Sequence, residues 1–189
     1  MEVVIFDLET TGLSPYQDEI IQIAGIRMKA GRILETETFA TFVKPKRRIS
    51  SFISSYTGIT DAHVRDAPSS KEAVSWFSKY VGDAVLIAHN GQRFDMPFIR
   101  ETCRREGLPT RNVGFVDSMA LSRRLWGGRG GHGLDNVMQR LALTKPESRR
   151  HDARGDVEIL AEAVKQMWTL LGADYQKCPV SAGSGVVAQ

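Results

Sequence analysis

Val3-Val4-Ile5-Phe6-Asp7-Leu8-Glu9-Thr10-Thr11-Gly12 begins as a strand and ends as a turn. β-Branched and aromatic side chains favour an extended chain as far as Leu8, whereas Thr10, Thr11, Gly12 and the nearby Pro15 are turn formers. Side chains alternate across a strand with a period of two, so Asp7 and Glu9 share one face close to its end. Two anions placed there repel. One explanation is that each caps a turn or pairs with a base. The other is a hard cation with oxygen ligands, whose charge removes the repulsion.

Outward from this strand, the pattern predicts two more over 20–28 and 33–43, joined by Ala30, Gly31 and Arg32 at hairpin spacing, which makes an antiparallel meander of three. Val74, Phe77, Ser78 and Val81 recur on one helical face within 71–81. The apolar run 84–88 reads as a strand covered on both faces, leading through His89, Asn90 and Gly91 into a helix around 97–105, a βα unit. A short strand over 113–116 follows, then helices over 117–125 and 134–143. The last helix is expected over 153–171, with Val157, Leu160, Ala161, Val164, Met167, Trp168 and Leu171 as its buried stripe. The expected fold is α/β: a mixed five-stranded sheet, the three-stranded meander plus two parallel strands, flanked by helices. Five glycines in the eight positions from Trp126 to Gly133 predict a mobile loop. The small and polar 176–189 is expected to be a disordered tail, leaving one domain over 1–175.

The 189 residues are 42% hydrophobic, enough for one sizeable core. The net charge is only +3, so attraction to phosphate must come from local clusters. Cys103 and Cys178 are too few for a disulfide framework and lack zinc spacing. No apolar run approaches the roughly 18 residues that span a bilayer, and the strand-like start lacks a basic leader. The expectation is an intracellular protein of cytoplasm or nucleus, with no membrane partner.

Two further carboxylates bear on Asp7 and Glu9. Asp95 opens the helix after the buried strand, where capping is the competing explanation. Asp156 lies in the first turns of the last helix, behind Gly155, a residue that costs a helix about 1 kcal/mol relative to Ala. His151 lies five positions before Asp156, and in one helix the two would diverge by about 140°, so it is expected just ahead of the helix. A lone surface histidine is commonly inert. At the lip of a carboxylate cluster it can take a proton from water near neutral pH. Phosphodiester hydrolysis uses such a set, with two divalent ions about 3.5–4 Å apart.

Three segments carry a family resemblance: Phe6-Asp7-Leu8-Glu9-Thr10-Thr11-Gly12-Leu13, Ala88-His89-Asn90-Gly91-Gln92-Arg93-Phe94-Asp95-Met96-Pro97-Phe98, and His151-Asp152-Ala153-Arg154-Gly155-Asp156. In order and separation they resemble the DEDDh 3′-to-5′ exonucleases of the DnaQ-like group, whose sheet is ribonuclease H-like. The second motif looks most like the TREX-type DNA exonucleases, with polymerase proofreading subunits close behind. The resemblance implies two Mg²⁺ ions, replaceable by Mn²⁺, bridged by Asp7 and held by Glu9, Asp95 and Asp156, with His151 as general base. It further implies that the backbone at Leu8 and Thr10 and the Asn90 side chain meet the terminal nucleotide, with Leu13 wedged against its base.

Thr57-Gly58-Ile59-Thr60 resembles a family segment near the scissile end, placing Ile59 among the substrate contacts; a tight turn between two short helices explains it equally. Arg149 and Arg150 directly precede His151 and are candidates to neutralise substrate phosphates. Lys44, Lys46, Arg47 and Arg48 form one basic cluster and Arg123, Arg124 and Arg129 another; a charge run is usually a solvated face, and for the first cluster that is an equal explanation. The expected partner is nucleic acid, DNA 3′ ends ahead of RNA. RNA trimming within the same family and a binding module without catalysis are the alternatives. A homodimer is compatible with the sequence, which leaves the oligomeric state open.

Overall fold

The structure, a computed structural model, describes residues 1–128, 130–144, 153–172 and 174–189. Its strands are β1 (Glu2–Thr10), β2 (Ile20–Lys29), β3 (Arg32–Phe42), β4 (Val85–Ala88), β5 (Thr110–Asp117) and β6 (Gly183–Ala188). Its helices are α1 (Ser51–Thr57), α2 (Asp61–Val64), α3 (Ser70–Val81), α4 (Asp95–Arg105), α5 (Ser118–Trp126), α6 (Leu134–Arg140) and α7 (Ala153–Leu170). The described strands form one mixed sheet in the order β3-β2-β1-β4-β5-β6. The meander β1-β2-β3 is antiparallel, and β4 joins β1 and β5 in parallel, as the sequence pattern predicts. Ala30 and Gly31 turn the β2–β3 hairpin with φ of 47° and 77°, the left-handed pair that a two-residue connection needs.

Alternation along β1 sends Val4, Phe6 and Leu8 to one face and Val3 and Ile5 to the other. Val74 and Phe77 of α3 and Phe98 of α4 pack on the first face. The second is covered by α7 through Val157, Leu160, Ala161, Val164 and Trp168, the expected stripe. Each large side chain fully buried there contributes about 1.5–3 kcal/mol. Asp7 and Glu9 continue the alternation of Val3 and Ile5, so their face is the one against which α7 packs.

Two expectations need correction at the C-terminal end. The sheet has six strands among the described residues, not five, and the segment expected to be a disordered tail supplies the sixth: β6 pairs antiparallel with β5 from Thr110↔Ala188 to Phe115↔Gly183. Val187 and Ala188 are fully buried, and the Ser78 hydroxyl of α3 donates to the Ala188 carbonyl. Small residues suggested disorder, but here they permit close packing. A Cβ at Gly185 would lie 2.8 Å from Met96 Sδ and 3.0 Å from Phe115 Cβ. Pairing also covers an edge of β5 that would otherwise expose its backbone groups.

The glycine-rich segment, expected to be mobile, is pinned at one end. His132 is buried, with its Nδ1 2.7 Å from Ser122 Oγ of α5. Arg129 lies outside the described residues.

Candidate active site

The end of β1, the start of α7 and the start of α4 converge. Ligand oxygens of Asp7, Glu9 and Asp156 lie within 4.8 Å of one another, and all three residues are half-buried. The strand period brings the first two together. The third arrives because α7 packs across β1 and β2 with Asp156 in its first turn. Glu9 pairs with Gln22 across the sheet, and the Gln22 side-chain oxygen accepts the Ala153 N–H at 3.1 Å, tying the start of α7 to the strand ends. Immediately beyond Glu9 the register with β2 shifts, a bulge that closes the pairing where the site begins.

Asp95 approaches from the opposite layer at the start of α4. It is 1% exposed, and its Oδ1 has no hydrogen-bond partner. Burial pushes its carboxyl up to about 8, reinforced by the charges of Asp117 and Glu9 and opposed by hydrogen bonds from its own backbone and that of Leu8. A cap explains little of this, because an orphaned carboxylate oxygen in a dry position beside other carboxylates is costly. The fit to hard divalent cations is good: an all-oxygen donor set, mutual repulsion among the acids and one buried acceptor with nothing to accept.

Asp7, Glu9 and Asp156 border a cleft of about 620 Å³. One wall is β1 and its following loop, Asp7 to Leu13; the other is α1, which presents Phe52, Ile53, Tyr56 and Thr57, with Phe94 also in the lining. Leu13 is 86% exposed at the lip, where a wedge would have to stand. Its loop is shaped by Asp18, whose carboxylate accepts from the Ser14 N–H at 2.9 Å. A Cβ at Gly12 would fall 2.4 Å from that carboxylate, so a side chain there would displace Asp18 from its bond to Ser14. Leu8 and Thr10 are buried, the Thr10 hydroxyl donating to the Gly12 carbonyl at 2.6 Å, and both border the cleft.

Asn90 is exposed and left-handed, with φ of 59°. Its conformation is held by Asp117, which accepts the Asn90 N–H at 3.0 Å and the Gln92 N–H at 3.2 Å while capping α5 through the Met119 N–H at 3.0 Å. Asp117 was not singled out from the sequence. An aspartate at the junction of a strand and a helix is a cap signal that could have marked it. Phe52 and Tyr56 of α1 were not singled out from the sequence either, because residue type and helical spacing do not tell whether a ring is covered; Phe52 is 74% exposed.

Thr57 to Thr60 forms the turn between α1 and α2, with Gly58 left-handed at φ 75°. Ile59 is 4% exposed and packs with Ile21, Ile49 and Val64 rather than lining the cleft. His151, Arg149 and Arg150 lie outside the described residues.

Comparison with known proteins bears on the same features. The family model described as "RNase_T: Exonuclease" matches residues 4–164. A DNA polymerase III subunit epsilon-like protein of Rhodobacter capsulatus is 42% identical over 173 residues, covering 90% of this chain and 24% of that protein. A PolC-type DNA polymerase III of Caldanaerobacter subterraneus is 37% identical over 168 residues, covering 88% of this chain and 12% of that protein. Among solved structures, exonuclease X in complex with 5′ overhanging duplex DNA superposes with a TM-score of 0.71 at 26% identity, covering 90% of this chain and 93% of that one. The nuclease domain of 3′hExo, a DEDDh family member bound to rAMP, shares the fold with a TM-score of 0.76 at 18% identity, covering 97% and 96%. The chain spans less than a quarter of either sequence relative, 24% and 12%.

Proposed function

Because the chain belongs to the RNase_T exonuclease family, we propose that it is a divalent-metal-dependent 3′-to-5′ exonuclease of DNA, acting on single-stranded or frayed 3′ ends and releasing nucleoside 5′-monophosphates. The observation that carries this reading is the convergence of Asp7, Glu9 and Asp156 beside the buried, unpartnered oxygen of Asp95, at one end of a cleft with an apolar wall.

Asp7, Glu9 and Asp156 would hold divalent cations, Mg²⁺ or Mn²⁺, with Asp95 completing the set. When bound, such ions polarise the phosphate and make water a nucleophile at neutral pH. The residues of the chain supply the rest. His151, read from the third motif, accepts the proton of the attacking water. Leu13 stands at the mouth to separate the last base from its neighbour, and the backbone at Leu8 and Thr10 positions its sugar. Asn90, fixed in its left-handed turn, offers an amide to the terminal nucleotide, and Arg149 and Arg150 offset the charge of its phosphates. Entry of one nucleotide past an exposed leucine favours an unpaired end. DNA is favoured over RNA because one sequence relative reported above is a PolC-type DNA polymerase III and the other is described as DNA polymerase III subunit epsilon-like.

The test is digestion of matched 3′-labelled and 5′-labelled single-stranded DNA and RNA with Mg²⁺, with Asp7→Asn and a chelator as controls. Stepwise loss from the 3′ end that fails in both controls is the expected result, and the DNA-to-RNA rate ratio assigns the substrate. Faster trimming of RNA would reassign the enzyme to RNA ends. Cleavage of neither polymer, with strands still bound, would make the chain a binding module.

A further inference from the structure

The segment from Lys44 to Arg48, ahead of α1, carries positive charge that does not line the catalytic cleft. Lys44, Lys46, Arg47 and Arg48 are exposed ahead of α1 and, with Arg65, line a concavity of about 470 Å³. A second concavity, of about 520 Å³, shares Lys46 and Arg47 and is bounded by Tyr16, three positions beyond the Leu13 lip of the acidic cleft. Farther along the chain Ser50 caps α1, and Phe52 and Tyr56, one helical turn apart, stack with ring centroids 6.3 Å apart and planes at 9°. Both rings border the acidic cleft.

A solvated face is the ordinary explanation of a run of cations, and two observations weigh against it. Lys46 is paired with Glu106 at 3.0 Å, but no ion pair of Lys44, Arg47, Arg48 or Arg65 is found among the described residues. Of the charged residues that line the first concavity, five are cations and one, Asp61, is an acid. Four positions along the chain from Arg48, Phe52 stands 74% exposed at the border of the acidic cleft. Cations that follow a phosphate backbone beside rings on which bases stack are the two elements of a surface for single-stranded nucleic acid.

We propose that Phe52 and Tyr56, with Lys44, Arg47, Arg48 and Arg65, form a track for the strand upstream of the scissile phosphodiester. Unpaired bases stack on the ring pair, and the phosphates 5′ to them run onto the cations. The proposal rests on the 3′-exonuclease reading, since it is that reading that makes the acid cluster the 3′ terminus of the bound strand.

The experiment compares the full chain with its Lys44→Gln/Arg47→Gln/Arg48→Gln variant. One substrate is a single-stranded DNA about 20 nucleotides long, enough to cover the track and the cleft together. The other is the nitrophenyl ester of thymidine 5′-monophosphate, which has no upstream nucleotide. The variant is expected to raise KM for the oligonucleotide about tenfold without lowering kcat, and to flatten the dependence of log KM on log salt by about 2 for three lost phosphate contacts. An equal effect on the ester would place these cations inside the catalytic cleft and overturn the track, as would an unaltered KM and salt slope. If the parent chain cleaves neither substrate, the exonuclease reading fails. The track is then decided by fluorescence anisotropy of labelled single-stranded DNA on the same two proteins, where weaker and less salt-sensitive binding by the variant supports it and equal binding overturns it. Preference for anionic vesicles over the oligonucleotide would also overturn it. Phe52→Ala separates stacking from charge: it is expected to weaken binding of an ordinary strand about tenfold and of an abasic strand hardly at all. Equal losses on both would remove the ring pair from the track.

Discussion

The N–H of Ala153 donates to the side-chain oxygen of Gln22 at 3.1 Å, and Gln22 faces Glu9 across the sheet. This bond ties the helix that carries Asp156 to β2, the neighbour of the strand that carries Asp7 and Glu9. Gln22→Ala leaves a buried N–H without its acceptor, at a cost of roughly 1–3 kcal/mol. The expected outcome is a lower melting temperature together with weakened Mg²⁺ affinity, read by titration calorimetry. Unchanged metal affinity in a destabilised variant would show that packing of α7 alone sets the position of Asp156.

Asp7→Asn removes one charge from a cluster whose oxygens lie within 4.8 Å of each other. In chelator its repulsion is relieved, so the variant is expected to melt at or above the temperature of the parent. With Mg²⁺ the order reverses, because an ion that binds only the folded parent raises its melting point by mass action and the variant binds weakly. Turnover is abolished. Thermal melts with and without Mg²⁺ check the stability claim, and retained exonuclease activity in the variant would refute the assignment of Asp7.

Periodicity explains which parts of this site could be read in advance. Asp7 and Glu9 share a face because a strand repeats every two residues, and Asp156 falls on that face because the stripe of α7 has one side to bury. Asp95 was visible at a helix start, but its burial and its orphaned oxygen depend on packing between layers that no local pattern encodes. The exposure of Phe52 escaped for the same reason: helical spacing says that two aromatic residues share a face and not whether anything covers it. β6 escaped because its short Val186-Val187-Ala188 run lies among glycines and serine, and only the waiting edge of β5 and the close approach at Gly185 make it a strand.

His151 belongs to the third motif and is assigned the proton of the attacking water. A lost general base typically costs about 10²–10⁴-fold in rate. His151→Ala is therefore expected to lower kcat by that order while Mg²⁺ affinity and the melting temperature stay near those of the parent. Single-turnover rates and calorimetry on the same preparation check it. A fall in metal affinity would make His151 a ligand instead.

His89 supplies a pH dependence distinct from that of the acids. Its Nδ1 lies 2.8 Å from Ser118 Oγ, and burial lowers its pKa from 6.5, opposed by the charge of Asp117, with the charges of Arg123 and His132 acting in the lowering direction. A depressed histidine is neutral in the fold and protonated more readily in the unfolded chain. Its contribution to stability is thus complete above pH 6.5 and is lost as pH falls through the lower folded value. Melting temperatures of the parent should decline as pH falls below 6.5, and more steeply than those of His89→Asn, which cannot take up that proton. Parallel curves for the two proteins would mean that His89 does not carry the acid sensitivity.

Gly185 tests whether β6 is part of the fold. Valine has a high strand propensity and would strengthen an isolated strand, so a stabilising Gly185→Val would mean that β6 packs loosely. The space argues the opposite: the first carbon of any side chain would sit 2.8 Å from Met96 Sδ and 3.0 Å from Phe115 Cβ, and Phe115 is held in a central strand. Met96 follows Asp95 on α4, so displacing its side chain also disturbs the helix start that buries the carboxylate. Overpacking of this kind typically costs about 1–3 kcal/mol. The expected result is a melting temperature several degrees lower, accompanied by faster hydrogen exchange at 183–188 and in β5. Ending the chain after residue 182 should destabilise it by a comparable route, because it uncovers the edge of β5 and leaves the Ser78 hydroxyl without the Ala188 carbonyl. A truncated protein that melts with the parent would detach β6 from the core, and with it the account of why these small residues stand where they do.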